Sequence, residues 1–121
     1  APKFPRPVEI DFLLRYYYKN TDTEQGKNAL KMCTMTLDAM AKGGIYDHLG
    51  YGFHRYSVDE YFHVPHFEKM LYDNAQLIVT YLNAYQITKT YFYKQVAMQT
   101  LQYLLRDMKM PNGGIYSAED A

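Results

Sequence analysis

The sequence predicts an all-α fold, built from helical hairpins that form part of an (α/α)6 toroid. Three observations predict it. Apolar residues recur at helical spacing along four stretches, and a sustained strand pattern is almost absent. A Gly-Gly-Ile-Tyr turn occurs twice, at Gly43-Gly44-Ile45-Tyr46 after the second stretch and at Gly113-Gly114-Ile115-Tyr116 after the fourth. A broadly apolar helix alternates with an amphipathic one, and repeated helical pairs need neighbours to bury their faces. A free-standing four-helix bundle is the structural alternative. Both ends of the 121-residue chain read as loop, so residues 1–121 are expected to be one partial domain from a longer chain.

The first helix is expected from about Val8 to Asn20, with Pro7 in its first turn and Ile10, Leu13, Leu14 and Tyr17 as its apolar stripe. Thr21-Asp22-Thr23 supplies turn and N-cap residues for a second helix from Glu24 to Lys42, which Gly43 ends. Its apolar side contains Cys33, a plain buried thiol on this reading. The third helix is expected from near Pro65 to about Ile87. Lys69, Tyr72, Asp73, Gln76, Thr80 and Asn83 form its polar strip, where Lys69 and Asp73 would be a surface i,i+4 pair if they carry no ligand. His66 and Asn74 fall in its wide apolar arc and so need partners, either internal or on a ligand. The fourth helix, about Tyr91 to Met110, is amphipathic, with Gln95, Gln99, Gln102, Arg106 and Lys109 on its wet face.

Composition narrows the function classes. Lys+Arg and Asp+Glu are both 13, so no basic footprint for nucleic acid is present. No apolar run approaches the length of a membrane span, and the start lacks the apolar core of a signal peptide. One cysteine excludes an internal disulfide and a multi-cysteine zinc site. His63 and His66 straddle Pro65 without a third ligand, so neither a metal nor another cofactor is expected. Fourteen tyrosines suit either a sugar-binding cleft or a helical core whose edges reach water.

The chemistry concentrates in the run from Gly43 to Asn74, a connection too long and too aromatic to be a plain linker. Histidine, the side chain whose ordinary pKa lies nearest neutrality, occurs four times, at His48, His54, His63 and His66, and Asp59, Glu60 and Glu68 lie in the same region. Glu119 and Asp120 follow the second Gly-Gly-Ile-Tyr turn, so a structural repeat would bring them to the same end. Two carboxyls across a glycosidic bond, or two histidines on opposite faces of a sugar carbon, would serve acid–base chemistry. The candidate catalytic residues are His54, His66, Glu68 and Glu119; the candidate substrate-binding residues are Tyr51, Arg55, Tyr56, Asp59, Lys69 and Asp73. His54, Arg55, His66 and Glu68 are expected on one concave surface. Gly50 and Gly52 would turn the loop, and Pro65 would set His66 and Glu68 in a helical first turn.

Four blocks carry a family resemblance: Ala1-Pro2-Lys3-Phe4-Pro5, Gly52 to Asp59, Val64 to Asp73 and Tyr116 to Ala121. They resemble the spermatogenesis-associated protein 20 family, and the resemblance runs along essentially the whole chain. It implies the early part of a six-hairpin glycosidase-like (α/α)6 domain, similar to N-acylglucosamine 2-epimerases and preceded in full-length members by a thioredoxin-like domain. The implied partners are a carbohydrate ligand, the rest of that helical domain and the thioredoxin-like domain. A role in fertility is implied for animal members. The implied chemistry is sugar epimerisation or glycoside hydrolysis; a non-catalytic binding or regulatory module attached to the thioredoxin-like domain is the alternative. Tyr51 stands where many relatives carry glycine, which would narrow the cleft or add a stacking ring.

Overall fold

The structure is a computed structural model that describes residues 5–57, 62, 65–66, 68–107 and 118–120. Four helices dominate: α1 (Pro7–Lys19), α2 (Glu24–Lys42), α3 (Leu71–Thr88) and α4 (Tyr91–Asp107). Four very short strands accompany them: β1 (Tyr56–Ser57), β2 (Pro65–His66), β3 (Glu68–Met70) and β4 (Ala118–Asp120).

Local chemistry sets the helix ends. Pro7 opens α1, where its missing N–H costs nothing. The Thr23 hydroxyl caps α2 by accepting from the Gly26 N–H at 3.0 Å. Gly43 closes α2 with its N–H on the Ala39 carbonyl at 3.0 Å. Its backbone is extended rather than left-handed. Glycine is required there by crowding, since a Cβ would lie 2.5 Å from the Phe62 carbonyl oxygen. Between α3 and α4 the chain reverses at Lys89, in the left-handed conformation, with its N–H on the Tyr85 carbonyl at 2.7 Å.

Helices α1 and α2 pack as one antiparallel hairpin, α3 and α4 as another, and α1 lies beside α3. Their shared core centres on Tyr81, which is fully buried. Its ring stacks on Phe53 at 5.6 Å and meets Tyr93 edge-on at 5.9 Å. Burying such a ring contributes about 2–3 kcal/mol, provided the hydroxyl is paired. It is paired, donating to the Leu37 carbonyl at 2.6 Å, while the Tyr93 hydroxyl donates to Asp38 at 2.8 Å. Among the described residues Tyr46, Tyr81, Tyr93 and Tyr103 are core, and the hydroxyls of the first three find internal partners, whereas Tyr16, Tyr18, Tyr72 and Tyr91 are exposed. Cys33 is buried and donates to the Ile10 carbonyl at 3.6 Å; burial pushes its thiol up to about 11.

The third helix starts later than its sequence suggests. Residues 65–66 and 68–70 are extended, and α3 begins only at Leu71. Pro65 opens a strand rather than a helix, a position where a missing N–H is also tolerated. β1 pairs antiparallel with β2, Tyr56 opposite His66 and Ser57 opposite Pro65. β3 pairs antiparallel with β4, Glu68 opposite Asp120, Lys69 opposite Glu119 and Met70 opposite Ala118. Short strand pairing is thus present where the sequence shows almost no strand pattern. His66 and Glu68 do not occupy a helical first turn. Lys69 belongs to no exposed polar strip; it is 5% exposed. Thr80, placed on the same strip, is also buried, with its hydroxyl shared between Asp11 and the Gln76 carbonyl. The second Gly-Gly-Ile-Tyr turn lies outside the described residues, as do Asp59, Glu60, His63, Lys109 and Met110.

Candidate functional site

The long connection is pinned from three directions. Asp47 organises its first bend. One carboxylate oxygen accepts from the Leu49 and Gly50 N–H groups at 3.0 and 2.8 Å, the local turn that Asp side chains favour. The other accepts from the Lys69 ammonium at 2.8 Å. Burial raises the Asp47 carboxyl, but the bonds from Lys69, Gly50 and Leu49, with the Lys69 charge, outweigh it and hold the group at about 2. Lys69 also donates to the Tyr51 carbonyl at 3.2 Å and stands 4.5 Å from the centre of the Tyr103 ring. In place of the alternative Lys69–Asp73 surface pair, Lys69 makes an internal pair across twenty-two residues.

Asn74, in the first turn of α3, makes the second clamp. Its amide oxygen accepts from the Phe53 N–H at 2.7 Å, and its NH2 donates to the carbonyls of Phe53 at 3.0 Å and Met70 at 2.9 Å. Of the two roles open to this polar residue in an apolar arc, the structure assigns the internal one. The third clamp is α4: the Arg106 guanidinium donates to the Gly50 carbonyl at 2.7 Å and pairs with Asp107. That bond holds the Asp107 carboxyl below its usual range.

These clamps place the candidate residues as follows. His54 follows Phe53, is 5% exposed, and donates its backbone N–H to the Ile45 carbonyl at 2.8 Å. Arg55 is exposed next to it. Tyr51 is half-buried and takes a left-handed backbone, φ 68°. The β1–β2 ladder brings the backbone of His66 opposite Tyr56, and the β3–β4 ladder brings Glu119 opposite Lys69 and Asp120 opposite Glu68. Asp73 is half-buried in the first turn of α3. The Gly43-to-Asn74 run leaves α2 beside the N-terminal half of α4 and meets the segment carrying Glu119 where α4 ends and α3 begins. Sequence reasoning did not single out Asp47, Tyr103 or Arg106. Only Asp47 carried a local signal, an Asp three residues before a glycine. Among the described residues no group of three or more His, Cys, Asp or Glu could hold a metal ion, and no helix is long and apolar enough to cross a membrane.

Two packed helical hairpins, with the long connection folded against the end of α4 and the start of α3, have the fold of a segment of an (α/α)6 toroid. Solved structures agree. Cellobiose 2-epimerase from Spirochaeta thermophila superposes with a TM-score of 0.76 over 99% of this chain and 29% of its own, at 19% identity. A sugar epimerase from a ruminal bacterium gives 0.75 over 99% and 30%, at 16% identity. No protein-family profile matches the chain. Its whole length is nevertheless homologous to spermatogenesis-associated protein 20, at 54% identity to the mouse and human proteins and 53% to the rat protein. The chain spans about 15% of the length of these curated relatives.

Proposed function

We propose that this chain supplies part of a carbohydrate cleft in which a sugar is epimerised by proton transfer. The observation that carries the reading is the pairing of His66 with Tyr56, which returns one histidine-bearing segment to within two residues of another, His54. One imidazole takes the proton from the carbon next to the carbonyl of an open-chain sugar. The other returns a proton to the opposite face, so the stereocentre inverts with no net change in atoms or electrons. Arg55, exposed beside His54, balances the enolate oxygen that forms between the two steps. The named activities of the structural neighbours support the same chemistry by likeness of fold.

The test uses the full-length protein incubated with reducing disaccharides, cellobiose among them, in D2O. Deuterium should enter at the carbon beside the carbonyl, followed by NMR. His54→Asn and His66→Asn should each stop the exchange while the melting temperature holds. Sugar binding without exchange would make the domain a binding module. Release of monosaccharide would make it a hydrolase. Loss of the fold in both variants, with no separate effect on sugar, would make the histidines struts.

A further inference from the structure

A groove of about 440 Å3 runs between the end of α2, the Tyr46–Tyr51 bend and the N-terminal half of α4. Its walls are rings and side-chain amides, Tyr46, Tyr51 and Phe92 with Gln95 and Gln99, and the imidazole of His48. Tyr46 is buried at its base, and its hydroxyl donates to the Gln99 amide oxygen at 2.8 Å. That bond fixes the Gln99 amide plane and leaves its NH2 as the donor end. Gln95, one turn earlier on α4, is exposed on the same side. Phe92 and Tyr51 are half-buried, with ring surface turned to the groove. No carboxylate lines it among the described residues, and its one ammonium, Lys42, lies 5.6 Å from the centre of the Phe92 ring.

We infer that this groove is a neutral saccharide subsite, holding a sugar ring other than the one that reacts near His54. The inference rests on the carbohydrate reading of the domain. The chemistry points to a sugar because its apolar ring faces stack on Phe92 and Tyr51 while its hydroxyls meet the amides of Gln95 and Gln99. A phosphate or carboxylate ligand would want converging cations, and the one ammonium of the groove is already drawn to an aromatic face. The bend keeps the groove open. Asp47 and Lys69 hold the main chain of Tyr51 from behind, so the ring of Tyr51 is presented without ordering on binding.

The experiment measures binding of cellobiose and maltotriose to the full-length protein by calorimetry, with Gln95→Trp as the blocking variant. Gln95 is exposed, so the indole fills the groove without removing any core contact. Phe92→Leu, which keeps apolar bulk but removes the stacking face, is the second variant. Gln95→Trp and Phe92→Leu should each weaken binding at least tenfold with an unchanged melting temperature. Deuterium exchange into a monosaccharide, which does not reach the groove, should stay as in the wild type. Wild-type binding that neither variant alters overturns the groove and leaves the reading at His54 standing. Failure of the wild type to bind either sugar overturns both.

Discussion

Asn74 grips the Phe53 peptide at both of its polar groups, accepting from its N–H at 2.7 Å and donating to its carbonyl at 3.0 Å. The side chain thereby acts as a strand partner, closing on a single residue the pairing that a neighbouring strand would otherwise supply. Asn74 is fully buried, so the loop residue before His54 is satisfied without water.

Removing that grip should be costly. Asn74→Ala leaves the Phe53 N–H and carbonyl unpaired in a dry site, a loss of about 2–4 kcal/mol. Chemical denaturation of the full-length protein should show a lower midpoint. Asn74→Asp should rescue little, because a carboxylate can replace the acceptor but not the donor. A stability equal to wild type in either variant would mean that the clamp is dispensable.

Acid should release the bend. The folded Asp47 carboxyl is held at about 2, below its ordinary unfolded value of about 3.9. A depressed carboxyl contributes stability that is fully present above the unfolded value and lost as pH falls through the folded one. The pair should therefore lose about 1–2 kcal/mol between pH 4 and 2, after allowance for solvent screening of a carboxylate that is 29% exposed. In Asp47→Asn that acid-dependent component should vanish. A melting profile of the same slope in wild type and variant would exclude Asp47 as its source.

Adjacent positions in the bend should respond oppositely. Gly52 has φ 85°, and a Cβ there would lie 2.6 Å from the Tyr103 ring. Gly52→Ala should lose about 2–4 kcal/mol, from dihedral strain and overpacking together. Adding Tyr103→Leu should recover the packing part and leave the dihedral part, which a double-mutant cycle on thermal melts resolves. Tyr51, at φ 68°, holds a left-handed conformation that glycine adopts freely. Tyr51→Gly should relax that strain while weakening saccharide binding through loss of the ring.

Outward faces of the helices should make the isolated segment associate. Val8 and Phe12 on α1 are 64% and 60% exposed, and Tyr91, Met98 and Leu105 recur every second turn of α4 at 68%, 49% and 60%. In a toroid such faces meet the flanking hairpins; without them they favour self-association. Sedimentation of residues 1–121 alone should show oligomers or aggregates. A monomer with a sharp cooperative melt would instead define a self-sufficient bundle.

What the chain reveals before folding is local. The bounds of α2, its Thr23 cap and the Pro7 start of α1 depend on residues within a turn of each other, and all are visible in sequence. The start of α3 is not, because Pro65 suits a strand opening as well as a helix opening. The choice is made by partners as distant as Tyr56 and Ala118. Lys69 reads as solvent-facing for the same reason, since its counter-charge at Asp47 lies in the preceding loop. The need of Asn74 for a partner is legible; that the partner is the Phe53 peptide is not. His54 and Arg55 stand out by type and position, but the burial of His54 accompanies its bond to Ile45 and the Asn74 grip on the preceding Phe53, which only the folded chain assembles.

The pairing of Glu68 with Asp120 also dictates an order of events. The whole α3–α4 hairpin lies between those two residues, so closing their ladder costs least once the hairpin has formed and brought its ends together. Local helical contacts form in microseconds, whereas this closure must await a large segment. The end of the molecule that carries the candidate chemistry should therefore be completed late. Amide protons of Glu68 to Met70 should exchange with the opening of the entire hairpin and not with fraying of a loop, which makes them a clock for the integrity of the site.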